Sequence, residues 1–121
     1  MKSHLLGTLL ILAACQAQAV TIDQIVKLCE SDDAISWLTC STYVNGVFET
    51  QRDLTAQGVL SADHLQGTFG ICPPDDIANG DIRAIAVAYL KKMSSEHPLS
   101  MHQSPALPIA VALQAAYPCG E

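Results

Sequence analysis

The stretch SWLTCSTYVNGVFETQRDLTAQ, residues 36–57, decides the fold class. Trp37, Cys40, Val44, Val47, Gln51 and Leu54 step through it by threes and fours. That spacing lines one side of an α-helix, so a helix with one apolar face is expected here. Gly46 lies inside it, where glycine costs about 1 kcal/mol against alanine. The cost implies either a second helix packed close at that point or a bend. Gly58 follows as a C-terminal stop, since glycine takes the left-handed conformation that ends helices.

The same periodicity recurs on both sides. Upstream, Thr21-Ile22-Asp23-Gln24 has the form of a capping box, and Ile22, Ile25, Val26 and Cys29 continue at helical spacing. Glu30 to Asp33 reads as an acidic turn between the two helices. Downstream, Asn79 is the expected cap of a third helix with the stripe Ile82, Ile85, Ala86, Tyr89, Leu90 and Met93. Lys91 and Lys92 lie near its end, where cations suit the helix dipole. His97-Pro98 stops it, because the residue before proline is pushed out of the helical region. Ser104-Pro105 opens a last helix, whose start Pro108 is expected to delay. Its inward residues are Ile109, Ala112, Leu113 and Ala116. No strand-like alternation, internal repeat or low-complexity tract interrupts this pattern. The fold class is all-α, a small bundle of about four helices stapled by two disulfides.

The staples follow from the cysteines and the leader. Leu5 to Ala14 is an uncharged apolar run after a short basic start, and Ala17-Gln18-Ala19 offers small residues at a peptidase site. Residues 1–19 therefore read as a signal peptide cleaved after Ala19, with residues 20–121 as the mature domain. A rival reading takes Leu12-Ala13-Ala14-Cys15 as a lipobox, which would make Cys15 a lipid-modified N-terminus. Cleavage after Ala19 leaves Cys29, Cys40, Cys72 and Cys119, an even number in an exported chain, hence two disulfides. Three pairings are possible and spacing does not choose among them. A domain of this size buries roughly 65 % of its unfolded surface, so bridges contributing roughly 3–4 kcal/mol each matter.

Composition narrows the function. Half of the 121 residues are apolar, 15 % are charged, and the net charge is −6. Removing the leader takes away one lysine and no acid, which makes it −7. Nucleic acid and anionic membrane surfaces are poor partners for such a chain, because phosphate binding needs clustered Lys and Arg. Catalytic chemistry is also missing. His97 and His102 are five residues apart and do not share a helix face as a zinc pair would. Asp75-Asp76 reads as a solvated helix approach rather than an acid–base pair. There is no Gly-rich phosphate loop and no nucleophile elbow, so no metal, cofactor or small-molecule substrate is expected. Trp37, Tyr43, Phe48 and Tyr89 sit at helical spacing and are expected in the core. The stretch from Gly58 to Pro74 lacks periodicity and is long for a compact domain, which points to function or mobility. Its Asp63, His64 and Phe69 are the expected partner-contacting residues, Phe69 because it lies outside every helical stripe.

Several motifs resemble one family. Cys40-Ser41-Thr42-Tyr43-Val44-Asn45-Gly46 looks like the C-x-x-Y-x-x-G helix of the Rap/Tai family of bacterial immunity proteins. Ile71-Cys72-Pro73 is similar to its C-x-P element. Ala88-Tyr89-Leu90 with His97-Pro98 and His102 resembles its Y-L…H-P…H segment, and residues 112–119 its A-L-x-x-A-F-P-C ending. Leu99 departs from the pattern, which tends to have an acidic residue after the proline. The resemblance implies a periplasmic, non-enzymatic protein that sterically blocks a toxin delivered by type VI secretion, such as an amidase of peptidoglycan peptides. It leaves room for a homodimer. The fold also resembles small helical periplasmic acid-stress chaperones, which gives a second functional reading. That second resemblance implies pairing of Cys40 with Cys72 and of Cys29 with Cys119.

Overall fold

A computed structural model describes residues 20–60 and 70–119. Among them are four α-helices and no strands: α1 (Ile22–Glu30), α2 (Ala34–Ala56), α3 (Asn79–Glu96) and α4 (Ala106–Ala116). A 3₁₀ segment, Pro98–His102, joins α3 to α4. The all-α bundle expected from the sequence is what forms. No described helix is long and apolar enough to cross a membrane.

Helix ends follow the local chemistry. The Thr21 backbone N–H donates to Gln24 Oε1 at 3.0 Å, and the Gln24 N–H donates to Thr21 Oγ1 at 3.3 Å, completing the capping box of α1. The Ile22 N–H, which no residue of its own helix can accept, donates to the Gln103 carbonyl at 2.9 Å. α2 begins two residues before Ser36, because Asp33 is its cap: its Oδ2 accepts from the Ser36 N–H and from Ser36 Oγ, both at 3.0 Å. These bonds, the backbone one first, hold the Asp33 carboxyl below its usual range. The depressed value means that this contribution to stability is present above about pH 4 and is lost as pH falls through the lowered pKa. At the other end, Gly58 adopts φ +74°. Its N–H donates to the Thr55 carbonyl and the Val59 N–H to the Leu54 carbonyl, a Schellman motif that stops α2 as expected.

Three expectations shift. Asn79 is the first residue of α3 rather than its cap; Ala78 holds that position and offers no side-chain bond. Pro108 sits in the first turn of α4 without delaying it, since N–H groups there have no intrahelical acceptor to lose. The first α-helical bond of α4, from Ile109 N–H to Pro105 carbonyl, forms at 3.0 Å. Ala116 is exposed, because the final turn of α4 runs past the core.

Each helix contributes a buried row to one core: Ile22 and Ile25 from α1; Cys40, Val44 and Phe48 from α2; Ile82, Ala86 and Leu90 from α3; Ile109 and Leu113 from α4. Ile71 joins them from the segment before α3. Between α1 and α3, Lys91 Nζ meets a Glu30 carboxylate oxygen at 2.8 Å, an exposed pair that adds little.

The disulfides are Cys29–Cys40 and Cys72–Cys119. The pairing implied by the chaperone resemblance is therefore overturned. The turn between α1 and α2 spans only Ser31 to Asp33, so α2 folds straight back along α1. Cys29 in the last turn of one helix then lies beside Cys40 in the second turn of the next, at a Cα separation of 5.0 Å. The other bridge ties the segment ahead of α3 to the end of the chain, alongside a 3.0 Å bond from the Cys72 N–H to the Tyr117 carbonyl.

The bridges span 11 and 47 residues. Loop entropy assigns them about 3 and about 4 kcal/mol respectively. Urea unfolding of the Cys72→Ala/Cys119→Ala and Cys29→Ala/Cys40→Ala variants is expected to show losses of that order, the first pair costing more. Non-reducing peptide mapping is expected to recover the same two pairs.

Candidate functional site

Charge is unevenly placed on this acidic chain. Residues 34–48, the first two thirds of α2, carry no charged side chain, and neither does any residue of α4. These two helices pack against each other and together present an uncharged face. Four of the large apolar side chains exposed to solvent belong to them: Ile35, Trp37, Leu38 and Leu107. Exposed apolar side chains grouped on neighbouring helices make this face the candidate site.

Two depressions cut into the face. The first is a groove of about 680 Å³ between α2 and α4, lined by Tyr43, Gly46, Val47, Thr50, Leu107 and Ala110. Gly46 lies open at its floor. A Cβ there would meet no atom within 4 Å, so no helix packs against the glycine, as close approach would have required. Leu107 is 59 % exposed and forms a ridge, because a further groove of about 430 Å³ lies on its other side against Tyr89, Met93 and Val111. The second depression is a cleft of about 190 Å³ between the start of α2 and the start of α3, lined by Trp37, Leu38, Ser41, Asn45, Asn79 and Arg83. It shares Thr42 with the first groove.

The cleft corrects the expectation for Trp37. The indole is 45 % exposed and lies under the Arg83 guanidinium, whose carbon is 4.8 Å from the ring centroid. The core begins one turn later at Cys40, so position 37 keeps the period of the stripe but overhangs its end. Of the other aromatics, Phe48 is buried as expected, whereas Tyr43 and Tyr89 are half-buried and line the grooves. Asn45 Oδ1 is buried without a hydrogen-bond partner. Tryptophan and arginine are the residue types most enriched among binding hot spots. Helical spacing alone had assigned Trp37 to the core; the missing signal was its position at the helix start, ahead of the first cysteine.

No catalytic constellation assembles among the described residues. His97 and His102 are exposed at the two ends of the 3₁₀ region, and Asp75 and Asp76 are exposed in a turn. No group of three His, Cys, Asp or Glu side chains among the described residues could hold a metal ion. The Tyr117 phenol is pushed above its usual pKa by burial and by the nearby Asp81 charge, so it remains protonated at neutral pH. The expected contact residues Asp63, His64 and Phe69 lie outside the described residues, as do Cys15 and residues 1–19. Two described residues, one before and one after those three contact residues in the chain, bond to the last turns of α2. The Leu60 N–H donates to the Leu54 carbonyl at 3.1 Å, and the Ile71 N–H donates to Thr55 Oγ1 at 3.1 Å.

A family model described as Rap1a immunity proteins matches residues 21–119. No curated protein and no solved structure matches the chain.

The chain has one tryptophan, so the cleft can be read optically. Arg83→Ala is expected to shift Trp37 fluorescence emission while lowering stability by less than about 1 kcal/mol, the size of an exposed cation–π contact. A thermal melt and an emission spectrum check both.

Proposed function

The chain belongs to the Rap1a immunity protein family, and from that premise we propose that it is exported to the periplasm, where it binds a toxin delivered by type VI secretion and blocks it sterically. The toxin class we favour is an amidase that cuts peptidoglycan peptides. The observation that carries the reading is the uncharged face of α2 and α4, which offers exposed Trp37, Leu38 and Leu107 for contact and no ionised side chain of its own. Such a face acts by occupying space. Apolar surface, an aromatic anchor and a shallow groove are what a protein partner requires.

Export agrees with the two disulfides, which form in an oxidising compartment. Residues 1–19 supply the leader in this reading. The net negative charge speeds encounter with a basic toxin, an effect that salt screens. Affinity then resides in the apolar contacts, which salt affects little.

Residues 20–121, purified with their disulfides intact, are expected to inhibit a type VI peptidoglycan amidase from the same organism at stoichiometric ratio, with neither protein consumed. In cells, deletion of residues 1–19 is expected to abolish protection while the purified protein still inhibits. Full activity of the amidase in the presence of excess protein contradicts the proposal.

A further inference from the structure

Gly46 has no internal reason to be glycine. Its backbone is ordinary helix, the sole positive-φ residue among those described being Gly58. No neighbour comes within 4 Å of a Cβ placed on it. Glycine in the middle of a helix lowers helix stability, and at this position neither backbone conformation nor packing offsets that. What the missing side chain does is leave the groove open: a long side chain at position 46 would fill the space that Tyr43, Val47 and Ala110 line.

We propose that this groove is a socket for one apolar side chain projecting from the toxin, carried on a segment with basic residues beside it. The inference rests on the toxin-binding reading above and specifies where the partner engages. The walls choose an apolar group, because they bear no charge to pair with an ionised one and burying an unpaired charge is costly. The rim chooses its neighbours. Asp53 lies seven residues beyond Gly46, on the same helical face, and Glu49 lies one turn closer. Arg52 pairs with both, its Nε 4.0 Å from the Asp53 carboxylate, so this end of α2, just past the residues that line the groove, retains a net negative charge in a chain that is already at −6. Lysine or arginine flanking the inserted side chain would complement it. A second copy of this chain would instead bring another acidic rim against the first.

The test titrates a purified type VI peptidoglycan amidase from the same organism into the unaltered protein and into Gly46→Leu, Gly46→Ala and Leu107→Asp by calorimetry. Gly46→Leu fills the socket with the protein's own atoms. It is expected to weaken binding at least about thirty-fold, the size of a lost buried anchor, while its melting temperature stays level or rises. Leu107→Asp, on an exposed rim residue, is expected to weaken binding comparably. Gly46→Ala is expected to cost less than about tenfold, because a methyl group leaves most of the volume free. Binding of Gly46→Leu and Leu107→Asp as tight as that of the unaltered protein overturns the socket and leaves the toxin-binding reading standing. Failure of the unaltered, folded protein to bind overturns both. A dimer of the unaltered protein in light scattering that Gly46→Leu converts to monomer assigns the socket to a second copy and overturns the toxin as its occupant.

Discussion

The position of α4 is the constraint on which the rest of the molecule depends. α4 has only 11 residues, too few for a stable isolated helix in water, and two prolines at its start. It is held by three things. The Cys72–Cys119 bridge and the Cys72–Tyr117 backbone bond fix its C-terminal end to the segment before α3. The Gln103 carbonyl, just ahead of it, accepts the first free N–H of α1. Ile109 and Leu113 enter the core completely. With α4 pinned at both ends, its remaining surface faces α2 across a gap, and that gap is the groove. Without this pinning there would be a core of three helices and no shaped face.

The distribution of charge then acquires meaning. Acidic residues cluster at the turns and at the far end of α2, while the exposed side of its first two thirds is left to Ile35, Leu38, Thr42 and Gly46. Long-range attraction and short-range contact are thereby separated. In the proposed reading the acidic remainder sets how quickly a basic partner arrives, and the neutral face sets how long it stays. A protein that neutralises a toxin needs a long residence time, and it needs no reactive groups. Both features follow from the same two helices.

Much of this was legible in the sequence, for local reasons. The Thr21–Gln24 capping box, the Gly58 stop and the His97-Pro98 break are decided within four residues of chain, and each forms where its chemistry places it. The even cysteine count gave the number of bridges. What periodicity cannot show is how far a neighbouring element extends. Trp37 and Ala116 keep the spacing of buried residues yet lie beyond the ends of the core. The disulfide pairing depends on the angle at which α2 leaves a three-residue turn, and a resemblance to another helical group supplied the wrong partner for every cysteine. Gly46 is anomalous in the sequence, but the two explanations that sequence suggests, a close helix or a bend, both look inward. Its setting became clear only when the space around it proved empty. The motif-level resemblance fared better than any single residue, because order and spacing along the chain survive even where individual faces are misread, and the family match over residues 21–119 agrees with it.

In the proposed function the partner sits on the neutral face of α2 and α4. Methyl-group NMR of the protein alone and in complex with the peptidoglycan amidase reads this directly, residue by residue. The largest perturbations are expected on Leu38, Val47 and Leu107, while Leu99 and Ile22 stay unchanged. Perturbations confined to Leu99 and the 3₁₀ region, with Val47 and Leu107 silent, would contradict it.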